Sequence, residues 1–223
     1  MSTIGKLVTA KTVLDWPAYG QWEAEVSTLT GVVAPGLVTL KIADVSFVGT
    51  VLPGRGGTDG PESWRGILRA GAGWGTKLGE LHASYGGGPV KLSTVLADVA
   101  KDCGEQIAQP PDVLIGSSFS RPVSLPMLPF RGRDLLSLLR SRGMTGPWHV
   151  DLAGVTRWGL RPAPVIAAGK ATVIDRNLSI GWRKFSLDKL GTIAPGVILD
   201  GAKVARLVIT EDAGALTCET YER

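Results

Sequence analysis

The chain has 223 residues, of which 44% are apolar and 20% charged, with a formal net charge of +4. That size admits one large or two small domains and a core that needs no covalent staples, and the composition excludes wholesale disorder. Thirty glycines without a fixed period exclude collagen and fall between short apolar runs, as turns between strands do.

No apolar stretch approaches the ~20 residues of a membrane-spanning helix, and the opening MSTIGKLVTAKTVLDW lacks the apolar region of a signal peptide. No membrane insertion and synthesis in a cytoplasm are therefore expected. Cys103 and Cys218 are far apart and flank no metal-ligand spacing, so two buried, reduced thiols are expected. Charge is uneven. Residues 1–110 hold 9 Lys/Arg and 10 Asp/Glu, while residues 121–189 hold 12 basic and 4 acidic residues, and residues 190–223 are net −2. A basic middle and an acidic end suit docking surfaces for neighbours of opposite charge.

In chain order, residues 21–29 (QWEAEVSTL) alternate with period two, which predicts a half-buried strand with Glu23 and Glu25 facing solvent. Residues 37–42 and 47–52 predict further strands, with Pro35-Gly36 and Pro53-Gly54 as turns. Residues 55–61 read as a loop, and residues 64–70 and 76–82 as strands across Gly71-Ala72-Gly73. Leu92, Val95, Leu96 and Val99 recur at helical spacing, which predicts a helix capped by Ser93 and ended by Gly104. Pro110-Pro111 is the expected domain boundary.

Prolines 122, 126 and 129 make residues 121–129 an extended connector. Residues 134–142 (DLLSLLRSR) predict a second helix, with Arg140 and Arg142 in its last turn and Gly143 after it. Residues 148–152 and 155–160 flank Ala153-Gly154 as a hairpin, and residues 171–174, 178–187, 204–210 and 216–222 return to strands. Asp200-Gly201 and Asp212-Ala213-Gly214 read as turns. The expected fold is mainly β with minor α: two β-barrel or sandwich domains, 1–110 and 111–223, each with one short helix.

Catalytic chemistry finds little support. His82 and His149 are the two histidines; His149 and Asp151 share a strand face, but residues 116–120 (GSSFS) form no nucleophile elbow. Residues 71–75 contain G-x-G without the rest of a dinucleotide fingerprint, and Gly86-Gly87-Gly88 precedes a helix without an acidic partner; structural turns are expected at both. Asp98 and Asp102, four apart, read as solvated helix surface. No catalytic, cofactor or metal residue is assigned. The seven tryptophans are expected in the core or at subunit interfaces, although Arg157-Trp158 and Trp182-Arg183 could stack bases.

The order of these pieces carries a resemblance. Strands are followed by GGPVKLSTVLADVAKDCGEQI, a proline connector, RGRDLLSLLRSRGMTGPWHVDLAGVTRWG and a closing LGTIAPGVILDGAKVARLVITEDAGALTCETY. This resembles the hub proteins of phage tail baseplates, including Mu-like and T4-like ones, with Gly104, the Trp148, Val150, Asp151, Gly154 hairpin, and Pro195-Gly196 at the matching positions. The resemblance implies tail-tube-like barrel domains and a homotrimeric, pseudo-sixfold ring in the virion, assembled in the host cytoplasm. Such a ring joins the tail tube or distal tail proteins to the spike, and DNA transits its lumen without specific binding. It implies no enzyme activity. A distal tail protein, a β-barrel nucleic-acid-binding module and a small cell-wall hydrolase are the alternatives.

Overall fold

A computed structural model of the chain describes residues 1–58, 63–159, 171–187, 190, 193–199 and 201–222. Its principal strands, in chain order, are β1 (Thr3–Ile4), β2 (Leu7–Pro17), β3 (Glu23–Thr28), β4 (Gly36–Ile42), β5 (Val45–Val51) and β6 (Trp64–Arg69). Two helices follow, α1 (Leu92–Cys103) and α2 (Gly132–Ser141). The chain then forms β7 (Trp148–Val150), β8 (Thr156–Trp158), β9 (Ala171–Asn177), β10 (Trp182–Leu187), β11 (Arg206–Asp212) and β12 (Ala215–Tyr221). The protein is mainly β, built on a large antiparallel sheet. Asp200 of the expected turn, residues 59–61 of the expected loop and Leu160 of the expected strand lie outside the described residues.

Two compact units form. The first contains Met1–Ala70, Leu152–Gly154 and Leu160–Arg223; the second contains Gly71–Asp151 and Val155–Gly159. The division therefore does not fall at Pro110-Pro111, and both helices lie in the second unit rather than one in each half. The cause is a long-range pairing. β11 runs antiparallel to β2, from Arg206 opposite Pro17 to Asp212 opposite Lys11, so the two ends of the chain share one sheet.

In the first unit the strand order is β1-β4-β5-β6-β3-β2-β11-β12-β10-β9. β1 also pairs with the start of β2, which closes β1, β4, β5, β6, β3 and β2 into a circuit. Closure removes free edges from that part of the sheet. Period-two alternation turns Ala24, Val26 and Thr28 of β3 inward, as expected. Leu14, Trp16, Leu40, Phe47, Leu68, Leu207 and Ile209 are buried with them, all at most 3% exposed. Phe47 packs edge-to-face with Trp16 and Trp22, at centroid distances of 5.2 and 5.6 Å. β2 was not predicted. A bulge between Thr9 and Lys11 interrupts its alternation near the start; burial alternates again from Lys11, but Val13 puts an apolar residue on the outer side and blurs the sequence pattern.

In the second unit, α1 buries Leu92, Val95, Leu96 and Val99 as its spacing requires, and Gly104 ends it in a left-handed conformation at φ 68°. Its start departs from expectation. Lys91 is the N-cap, and the Ser93 hydroxyl donates instead to Asp112 at 2.7 Å. α2 buries Leu135, Leu136 and Leu139, and its Asp134 carboxylate accepts the Arg131 N–H at 2.8 Å. Residues 76–82 form no strand. A 3₁₀ turn at Ala72–Gly75 precedes them, and they are held by single bonds: the Leu78 N–H donates to Phe130 O, and the Ser124 N–H to Leu78 O, both at 2.8 Å. Gly132 sits where a Cβ would lie 2.6 Å from Cys103 Sγ and 2.9 Å from Trp74, so only glycine lets α2 start there. The expected hairpin forms, with Trp148 opposite Trp158 and Val150 opposite Thr156. One strand circuit closes among the described residues; the second unit carries short ladders rather than a second barrel.

Candidate functional surfaces

The alternation that buries one side of a strand presents the other. On the outer side of six adjacent strands, β6-β3-β2-β11-β12-β10, charged side chains meet across strand boundaries. Arg65 pairs with Glu25 and Arg69 with Glu23, each guanidinium donating through Nε and Nη2. Arg206 donates to both Asp15 oxygens at 2.7 Å, and this pairing holds the guanidinium pKa above its ordinary value. Lys11 lies 3.6 Å from Asp212. Lys184 stands opposite Glu219 in the β10–β12 register. Glu219 also accepts from Trp182 Nε1 at 3.0 Å and the Tyr221 hydroxyl at 3.2 Å. These strands thus carry five cations and five carboxylates on one face, where Val8, near the start of β2, is the one exposed large hydrophobic among the described residues. Glu23 and Glu25, read from sequence as solvated, are two of its five carboxylates; their partners stand about forty residues away, beyond any local pattern.

A buried polar clamp lies in the second unit. The Arg121 side chain has no exposed surface. Its guanidinium donates to the carbonyls of Gly79 at 3.1 Å, Leu81 at 2.6 Å and Pro122 at 3.3 Å. Asp102 of α1 lies 3.7 Å from Arg121, and its carboxylate also meets His82 Nδ1 at 3.1 and 3.2 Å. Burial and the nearby Asp98 carboxylate push the Tyr85 hydroxyl well above its ordinary range. Asp98 and Asp102 are therefore not a solvated pair. Their spacing of four correctly puts them on one helix face, but that face carries the clamp.

The glycine clusters are turns. At residues 71–75 the Gly73 N–H donates to Glu105 at 2.5 Å, so a carboxylate of the same chain occupies the place an anion would take. Burial pushes the Glu105 carboxyl up, against the lowering effect of the Gly73 and Trp74 N–H groups. A raised folded pKa means that folding favours the protonated acid. This group's contribution to stability is complete at low pH and is lost as pH rises from its ordinary 4.5 through its folded value. Glu105→Gln keeps the acceptor and removes the desolvated charge, so it should hold stability at neutral pH and flatten the loss of stability as pH rises above 4.5. Glu105→Ala should cost about 1–3 kcal/mol by leaving the N–H groups unpaired. Urea unfolding below pH 4.5 and at neutral pH checks both.

The remaining sequence candidates are structural. Trp16, Trp22, Trp64, Trp74 and Trp148 are buried, as expected of core aromatics. Arg157 donates to Asp151 at 2.6 Å, and Asp151 also accepts the Val155 N–H of the hairpin turn. Arg183 is buried and paired with Glu222. Neither Trp-Arg dipeptide offers the free stacking platform of a nucleic-acid reader. The basic stretch 121–189 is divided between the two units. Burial pushes the thiols up, Cys103 to about 11 with help from Glu105 and Asp102, and Cys218 to about 12. Among the described residues no cluster of three or more His, Cys, Asp or Glu side chains could hold a metal ion, and no helix is long and apolar enough to cross a membrane.

No family model and no curated protein matches the sequence. Solved structures do match. The prophage MuSo2 43 kDa tail protein from Shewanella oneidensis is similar at a TM-score of 0.57 and 11% identity, covering 98% of this chain and 95% of that one. A tail protein from Neisseria meningitidis MC58 is similar at a TM-score of 0.61 and 8% identity, covering 98% and 94%. This chain has the fold of phage tail proteins. The E. coli c3393 protein, a type VI secretion component with structural similarity to the T4 bacteriophage tail proteins gp27 and gp5, shares that fold at a TM-score of 0.59 and 9% identity. That match covers 100% of this chain and 77% of its own.

Proposed function

We propose that this protein is a non-enzymatic structural component of a phage tail baseplate. In this reading it is a hub ring of three copies that joins the tail tube to the central spike and continues the DNA channel. The observation that carries the reading is a tail-protein fold shared across nearly the whole chain with three tail or tail-like proteins. Two surface features support self-association. Among the described residues β9 is the outermost strand of the large sheet and pairs on one side only, with β10. Its exposed Val173 and Ile174 add apolar surface to that open edge, and an open edge of this kind is a template for pairing with another chain. The polar clusters described above are engaged in holding loops and strands in place, which suits an assembly part better than a catalyst.

Light scattering on the purified 23.4 kDa chain, alone and with the products of its neighbouring genes, tests this. The expected result is a trimer, or a closed ring that forms once a neighbour is added. A strict monomer that joins no neighbour would overturn the hub reading.

A further inference from the structure

Resting on that reading, we infer that the charge-paired face of β6-β3-β2-β11-β12-β10 is the wall along which DNA passes, and that its cross-strand pairing keeps DNA from adhering. Duplex DNA carries about one charge per 1.7 Å of axis, and each phosphate neutralised by a Lys or Arg adds affinity by releasing counterions. A channel wall with unpaired cations would therefore hold the molecule it must release. A strongly acidic wall would oppose entry.

This face is neither. Its five cations each stand beside a carboxylate on a neighbouring strand, and the face sums to zero. Arg65, Arg69 and Arg206 spend Nε and Nη2, the edge a guanidinium turns to a phosphate, on carboxylates within the sheet. The same composition argues against a subunit interface, because interface cores are depleted in charge and enriched in aromatic residues. Ten charges over six strands, with Val8 near the start of β2 as the one exposed large hydrophobic among the described residues, describe a surface kept wet.

The test frees the arginines without changing their positions. Asp15→Asn, Glu23→Gln and Glu25→Gln, combined in the full chain, should convert a protein with no measurable affinity for a duplex oligonucleotide into one that binds it. With three cations released, affinity should fall about 40-fold between about 50 and 200 mM salt. A control with the same change in net charge placed elsewhere, Glu80→Gln, Asp112→Asn and Asp175→Asn, should not bind. Wild-type binding as tight as the triple variant's, equal binding by the control, or no binding by the triple variant would each overturn the inference. Circular dichroism confirms that each variant is folded. The assembled ring supplies the positional arm. A cysteine at Ser27, on β3 of this face, should react with a small maleimide but not with a maleimide carried on a large globular protein. Equal reaction with both places the face outside and defeats the inference while leaving the ring intact. A chain that forms no ring defeats the hub reading and this inference with it.

Discussion

Trp22→Ala is expected to destabilise the first unit by about 3–5 kcal/mol, the range for removing a buried tryptophan. Trp22 is fully buried and packs edge-to-face with Phe47, which packs in the same way with Trp16. The three rings lie inside the closed circuit, contributed by β2, β5 and the turn before β3, so their loss is felt by strands from three places in the sequence. Gly49 of β5 adds a second test. A Cβ there would lie 2.7 Å from the Trp22 ring, so Gly49→Ala overfills the site and should cost about 1–3 kcal/mol. The two positions share one space and must couple. Trp22→Phe, which shortens the ring, should relieve part of the Gly49→Ala penalty, so the double variant should unfold at a higher urea concentration than additivity predicts. Strict additivity would mean that the ring does not press on Gly49.

How far the fold could be read locally depended on whether its period survived in one segment. β3, α1 and α2 were legible because each keeps an unbroken stripe: Ala24 and Val26; Leu92, Val95, Leu96 and Val99; Leu135, Leu136 and Leu139. β2 was not, because a bulge interrupts the pattern near its start and Val13 then puts an apolar residue on its outer side. Residues 76–82 alternate like a strand but lack a continuous partner; their backbone bonds go singly to Ser124, Phe130 and Gly132. The division into units was hidden for a different reason. Pro110-Pro111 is a local break, whereas β2 and β11 are joined by about two hundred residues of intervening chain. The charge-paired face was half legible: alternation turned Glu23 and Glu25 outward, but only the sheet order supplies Arg69 and Arg65. Arg121 was missed altogether. An arginine beginning a proline-rich connector is ordinarily exposed, and it is buried here because three carbonyls converge on it.

That convergence makes Arg121 the second large expectation. Arg121→Ala should cost the second unit about 3–5 kcal/mol, the range for removing one partner from a buried charged pair. The penalty has two sources. The Leu81 and Gly79 carbonyls lose their buried donor, and the Asp102 carboxylate keeps only His82 beside it. Arg121→Lys should recover part of the loss, since one ammonium keeps the charge but cannot span the three carbonyls as a planar fork does. Asp102→Asn should cost less than Arg121→Ala, because Asp102 stands 3.7 Å away while the carbonyl bonds persist without it. The clamp also fixes one end of the connector. Its other end is held by Ser124, whose hydroxyl accepts the Phe130 N–H at 2.9 Å, and between these anchors Leu125 and Leu128 close a tight turn by exchanging N–H···O bonds of 3.1 and 3.2 Å. Met127 and Leu128 stand 90% and 71% exposed at its tip. With Arg121 gone, that tip should become cleavable by a protease before the unit as a whole unfolds. Limited proteolysis read against urea stability separates the two effects. If Arg121→Ala lowers stability by under about 1 kcal/mol and leaves the connector resistant, the guanidinium is a passenger and the proline-braced turn holds itself.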